Sequence, residues 1–174
     1  MGAVRTIMYE LGQTADSDEL DQLLGTEVEF PHVNYALAPQ NRVLLSSRRI
    51  KAVWMKNGSG GALNPNEVLT PKSGAPHTEV GGVTGSAGTG VGAVDPFVSS
   101  VAANKYFWMI VEGPGKARSS GAISANAILI PASTGEVTTV TNDAPGSLSA
   151  CGRAITAAGG ADVTIDVLWK FPRV

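Results

Sequence analysis

The chain has 174 residues, of which 43% are apolar and 16% charged, and its formal net charge is −2. So even a balance gives no electrostatic basis for binding nucleic acid or an anionic membrane, and no run is apolar over the roughly 18 residues that a membrane-spanning helix needs. A single cysteine, Cys151, excludes an internal disulfide. The charged share is below the usual value of about 25%, which points to a surface partly covered by a partner. The length suits one domain with or without an arm, and the 21 glycines and 10 prolines suit many short strands joined by turns.

In chain order, Asp16 to Glu19 offers a helix N-cap with a glutamate three positions on, Leu20, Leu23 and Leu24 then share a face, and Gly25 supplies a stop. A helix this short does not persist alone in water and has to dock. Thr26 to Phe30 alternates as a strand, and Pro31 and Pro39 interrupt the stretch that follows. Residues 1–45 are therefore expected to form an arm with one short helix, lying over its own domain or over a neighbour. Residues 46–174 are expected to form a β-rich domain.

A repeat organises that domain. Gly61 to Pro71 reads G-A-L-N-P-N-E-V-L-T-P, and Gly121 to Pro131 reads G-A-I-S-A-N-A-I-L-I-P, sixty positions on. The common frame G-A-[LI]-x-x-N-x-[VI]-L-x-P predicts a repeated unit: an apolar strand, a glycine turn, a tight turn centred on Asn, and a short strand stopped by Pro. Each copy follows a Trp-Met pair, Trp54-Met55 and Trp108-Met109. Val80, Val83, Val91 and Val94 predict two strands around a loop of small residues at 85–90. Tyr106 to Val111 is unbroken in its apolar character, which predicts a strand buried on both faces, by the core alone or by the core and a second subunit. Gly113-Pro114-Gly115 predicts a turn, with Lys116 to Arg118 returning as a hairpin. Val137 to Thr141, Gly152 to Ala157 and Asp162 to Trp169 read as the last strands; in the final one Val163, Ile165, Val167 and Trp169 share a face. The fold class expected is all-β with one short helix, a compact sandwich or barrel-like domain.

The residues that carry chemistry are scattered. His32 and His77 each follow a proline and suit loops, and no H-x-x-x-H, C-x-x-C or D-x-D-x-D spacing points to a metal. Cys151, between Ala150 and Gly152, reads as a small strand residue. The glycine-rich segment 81–92 lacks the phosphate-loop pattern, and no Lys or Arg stands between Lys72 and Lys105. We therefore expect no enzyme, no catalytic or metal-binding residue and no cofactor. A basic cluster, Arg48, Arg49 and Lys51, fits either an acidic partner surface or the charged guard of a strand edge. Trp54, Trp108 and Trp169, with Tyr106 at the head of the apolar run, are candidate subunit or partner contacts when they are not core anchors. Exposed in a groove, the tryptophans would instead suit a carbohydrate- or receptor-binding module.

The phrases V-W-M-K-N-G-S-G-G-A-L-N-P-N-E-V-L (53–69), F-W-M-I-V-E-G-P-G-K-A-R (107–118), S-G-A-I-S-A-N-A-I-L-I-P-A-S-T-G-E-V (120–137), G-R-A-I-T-A-A (152–158) and V-T-I-D-V-L (163–168) stand in an order that resembles the capsid decoration, or cement, proteins of tailed bacteriophages. The resemblance covers about two-thirds of the chain and leaves out residues 1–45 and 73–95. It implies a β-rich domain, commonly a homotrimer, on the outer surface of the assembled virion head. Such a protein binds where major capsid subunits meet and secures the shell against the pressure of packaged DNA. It has no catalytic residues to carry over.

Overall fold

A computed structural model describes residues 10–15, 24–83, 90–140 and 150–172. It is all-β. The strands are β1 (Thr14–Ala15), β2 (Glu27–Val33), β3 (Leu44–Asn57), β4 (Val68–Pro71), β5 (Glu79–Val83), β6 (Gly92–Val94), β7 (Tyr106–Ser120), β8 (Ile128–Pro131), β9 (Val137–Thr139), β10 (Gly152–Ala154) and β11 (Ala161–Lys170). Two one-turn 3-10 segments, Pro39–Asn41 and Ser133–Gly135, are the helical elements among the described residues. The helix expected from Asp16 onward falls on residues 16–23, which lie outside the described ones. So do residues 85–89 of the small-residue loop.

The strands close into two rings that share β7. In the first ring β3 pairs with β7, β7 with β6, β6 with β4 and β4 with β5, and β5 returns to β3 in parallel through Asn57↔Val80. In the second, β7 pairs with β11, β11 with β10, β10 with β8 and β8 with β9, and β9 returns to β7 in parallel through Ser119↔Val137. The repeat read in the sequence is therefore one five-strand unit built twice. Its first and last strands are β3 and β7 in one copy, β7 and β11 in the other.

The registers agree residue by residue. Val68↔Ala93 and Leu69↔Gly92 in the first unit correspond to Ile128↔Arg153 and Leu129↔Gly152 in the second. The bridge Leu63↔Val101 corresponds to Ile123↔Ala158. Asn66 and Asn126 both adopt left-handed backbone, φ 70° and 66°, a conformation that Asn tolerates better than most side chains. The frame thus repeats because each copy turns its chain on that Asn and pairs the next two strand residues in one register. The Trp-Met pairs are not equivalent positions of the unit: Trp54 and Trp108 lie directly opposite each other on β3 and β7.

Each ring fills with its own apolar residues. Met55, Leu63, Leu69, Val80, Val94, Val101, Phe107 and Met109 form the core of the first. Ala117, Ile123, Leu129, Val137, Ala154, Ala158, Ile165 and Val167 occupy the corresponding places in the second, within a larger cluster. That cluster extends over the far face of β3 and β7, where Phe30, Trp54, Tyr106 and Trp108 pack together. The Trp54 and Trp108 rings are 4.8 Å apart and edge-on, and Phe30 meets Trp108 at 5.2 Å. Such contacts add about 0.5–1.5 kcal/mol each beyond the area they bury. The 106–111 run is thus covered on both faces by this chain itself: Tyr106, Trp108 and Ile110 on one side, Phe107 and Met109 on the other.

Two local expectations change. Pro31 does not end its strand. It sits within β2, the terminal strand of the sheet order, where an edge position tolerates a missing N–H. Gly113-Pro114-Gly115 is not a turn either. The chain runs straight through it as one strand of 15 residues, β7, which changes partner there from β3 to β11. The described parts of the expected arm, residues 10–15 and 24–45, contribute β1, which pairs with β7, and β2, which runs antiparallel along β3.

The segment around β1 is tied down by Asp95, which is fully buried and accepts hydrogen bonds from Gly12 N (2.5 Å) and Phe97 N (2.9 Å). Loss of solvent pushes its carboxyl up from 3.8 to about 6, against the two N–H donors that pull it down. A raised carboxyl favours the native state most below the unfolded value, and that benefit is lost as pH rises through the folded value. Between about pH 4 and pH 6 the native state should therefore lose roughly 3 kcal/mol from this group alone. Replacement by Asn removes the charge and, because its NH2 cannot accept from Gly12 N or Phe97 N, lowers stability by an amount that does not vary with pH. In urea melts the stability of wild type relative to Asp95→Asn should fall as pH rises across that window; a difference that stays constant with pH would refute the assignment.

Candidate functional site

The place where β7 changes partner opens a groove. Glu112 lies opposite Lys51 on β3 and opposite Lys170 on β11. The next residue, Gly113, has φ 109°, and a Cβ on it would stand 2.3 Å from the Arg49 carbonyl oxygen. Only glycine lets the backbones of β3 and β7 come this close before they part. Past this pivot the N-terminal half of β3 and the second ring diverge around a cleft of about 1040 Å3. Arg48, Arg49 and Lys51 form one wall, and Arg153, Lys170 and Ile128 belong to the other.

The groove is basic on a chain that is acidic overall. Lys51 is shared between Glu112 (3.4 Å) and Glu29 (3.6 Å). Arg48, Arg49, Arg153 and Lys170 are exposed, and among the described residues no carboxylate pairs with them. Four like charges around one concavity raise the local potential for an anionic group far more than the net charge suggests. Ile128 adds an apolar patch at the rim and is 48% exposed.

The sequence-predicted contacts divide. Arg48, Arg49 and Lys51 line the groove. Trp54, Tyr106, Trp108 and Trp169 do not serve as surface: they are 4, 2, 1 and 1% exposed and anchor the core. Reading them as partner contacts is corrected by their burial, because aromatic side chains this large fill the face between β2, β3 and β7 or, for Trp169, pack on Phe171 at 5.0 Å. Sequence reasoning missed Ile128, Arg153 and Lys170. The repeat carried a signal for two of them: the first unit has fully buried Val68 and Ala93 where the second has Ile128 and Arg153. An arginine in a place that the other copy keeps apolar marks a different environment.

The remaining reactive types are placed as follows. Cys151 is buried, its Sγ donates to the Leu129 carbonyl (3.4 Å), and burial pushes its thiol up to about 12. The thiolate, the reactive form, is scarce at such a value. His32 Nδ1 lies 2.9 Å from Ser46 Oγ, and burial lowers its pKa. His77 lines a separate apolar pocket of about 270 Å3 between Met55, Met109 and Val111. Glu79 and Glu112 reach the same pocket and are tied to lysines: Glu79 to Lys72 (2.9 Å) and Lys56 (3.8 Å), Glu112 to Lys51. Among the described residues no cluster of three or more His, Cys, Asp or Glu could hold a metal ion, and no helix is long and apolar enough to cross a membrane.

No family model and no curated protein sequence matches the chain. A solved structure, the head fiber gp8.5 N base of bacteriophage phi29, is similar to it with a TM-score of 0.47 and 10% sequence identity, over 71% of this chain and 99% of that one.

Proposed function

We propose that this chain is a structural protein of a tailed-phage virion. It attaches to the outer surface of the assembled head where major capsid subunits meet, and it strengthens the shell. The observation that carries this reading is the ordered series of phrases resembling decoration proteins, together with an open basic groove on the domain they build. Attachment to the assembled lattice and not to free subunits stabilises the lattice by mass action, RT ln(1 + [L]/Kd) per site. Self-association into a homotrimer, as the resemblance implies, would multiply weak contacts through effective concentration. A carbohydrate-binding role would need exposed tryptophan platforms, and the three tryptophans are interior. The test is co-sedimentation of the full chain with assembled heads and, separately, with unassembled capsid protein. It should pellet with heads and stay in the supernatant otherwise; equal recovery with and without heads overturns the reading.

A further inference from the structure

The two units allow one surface to be read twice. In the first, Val68 and Ala93 are fully buried and belong to the core cluster that also holds Leu129, Trp169 and Phe171 of the second unit. A Cβ built on Gly90 would lie 2.9 Å from Val68 Cγ1, 2.8 Å from Pro131 Cγ and 3.3 Å from Phe171 Cε1. The 3-10 turn that follows Pro131 continues the cover, since a Cβ on Gly135 would lie 3.0 Å from Glu67 Cβ and 3.1 Å from Val83 Cβ. An apolar turn and an aromatic ring thus seat on Val68 and Gly90. Sixty positions on, the same seat in the second unit is Ile128, Ala150 and Arg153. There Ile128 is 48% exposed, Ala150 is half-buried, Arg153 is exposed, and all three line the open groove.

From this precedent within the chain we infer that the groove is a docking seat for a segment of a partner protein, one that brings an apolar tip and carboxylates together. The tip covers Ile128 and Ala150 as Pro131 and Phe171 cover Val68 and Gly90. The carboxylates meet the side chains of Arg48, Arg49, Arg153 and Lys170, with which no carboxylate pairs among the described residues. A second copy docked in the same geometry fits poorly. Its counterpart of Pro131 is Pro71, followed by Lys72, which would set a cation against arginines. Its counterpart of Phe171 is Gly113, which is held in the sheet against Arg49. The groove therefore selects a different chain, and in the reading proposed above, on which this inference rests for the partner's identity, that chain is the capsid subunit. Desolvated apolar contact at the centre with charges at the rim is the usual division between affinity and encounter rate at protein interfaces.

The test is a heteronuclear NMR titration of the full, 15N-labelled chain at low salt with three probes. These are an acetylated acidic hexapeptide with a central Pro-Phe, the same peptide with lysines in place of its acids, and a single-stranded oligothymidylate. The acidic peptide should shift resonances at Ala150–Ala154, Lys170 and Arg48–Arg49. It should bind about tenfold more weakly to the exposed-residue variants Ile128→Glu and Arg48→Glu/Arg153→Glu, each with unchanged melting temperature. No shift at the groove, equal binding of the lysine peptide, tighter binding of the oligonucleotide, or variants that bind as wild type each overturn the inference. The two readings fail separately. Heads that retain the doubly reversed variant as well as wild type remove the groove and leave the virion role. A chain that takes the acidic peptide yet ignores heads sustains the groove and removes the virion role.

Discussion

Replacing Gly113 by valine should lower the stability of this domain by about 4 kcal/mol or more, a fall in melting temperature of roughly 8–16 °C for a chain of this size. Two costs combine. At φ 109° a β-branched residue is strained. The new side chain would also meet backbone, the Arg49 carbonyl oxygen at 2.3 Å and Ile50 Cα at 3.0 Å, neither of which can rotate away as a flexible side chain would. The damage falls where β7 passes from β3 to β11, so both rings and the groove between them should loosen together. Gly121→Ala is the control, since a Cβ there meets nothing within 4 Å. Thermal unfolding by circular dichroism reads both. A Gly113→Val protein within 0.5 kcal/mol of wild type would show that the pivot is not held this tightly.

The second large effect concerns the buried polar residue near the end of the first strand of each unit. Asn57 is fully buried, and Nδ2 donates to the carbonyls of Gly61 (3.0 Å), Val101 (2.9 Å) and Ala102 (3.1 Å), sharing two hydrogens among three acceptors. Its Oδ1 accepts from Ser59 N at 3.0 Å. Ser119 holds the corresponding place: its Oγ lies 2.7 Å from the Gly160 carbonyl and accepts from Val163 N at 3.2 Å. Truncation removes these bonds at about 1 kcal/mol each. The Val101, Ala102 and Gly61 carbonyls keep Leu63 N, Lys105 N and Ser59 Oγ as donors, while Ser59 N and Val163 N lose their side-chain acceptors. Asn57→Ala should therefore cost about 3 kcal/mol and Ser119→Ala about half of that. Urea unfolding of the two variants measures the ratio. Equal costs would mean that the closing loops of the two units are not held by these side chains.

What the sequence disclosed follows from where its signals are local. Asn66 and Asn126 need left-handed backbone, and Pro71 and Pro131 end short strands, so the unit could be read from a frame of eleven residues. The apolar run of β7 announced burial on both faces, because a strand with a wet face alternates and this one does not. Closure of the rings was not legible. It depends on parallel pairs such as Asn57↔Val80 and Ser119↔Val137, which carry no turn chemistry between their ends. Gly113-Pro114-Gly115 misled for the opposite reason. Its composition is that of a turn, but the glycine serves a partner exchange inside a continuous strand.

The site was half legible. Arg48, Arg49 and Lys51 are neighbours in sequence, so their cluster could be seen directly. Arg153 and Lys170 join them only because β10 and β11 close the second ring beside the pivot. The aromatic residues could not be assigned from sequence alone. A tryptophan in an apolar strand packs a core or a partner equally well, and here β2, β3 and β7 already cover one another's faces.

The claim on which the account turns is that this protein functions by adhering to an assembled protein shell. Cryo-electron microscopy of heads incubated with the chain, minus a map of heads without it, tests that most directly. The account predicts added density on the outer surface at the junctions between capsid subunits, with the basic groove turned toward the shell. Unchanged maps at saturating protein, or density confined to the inside of the shell, would contradict it.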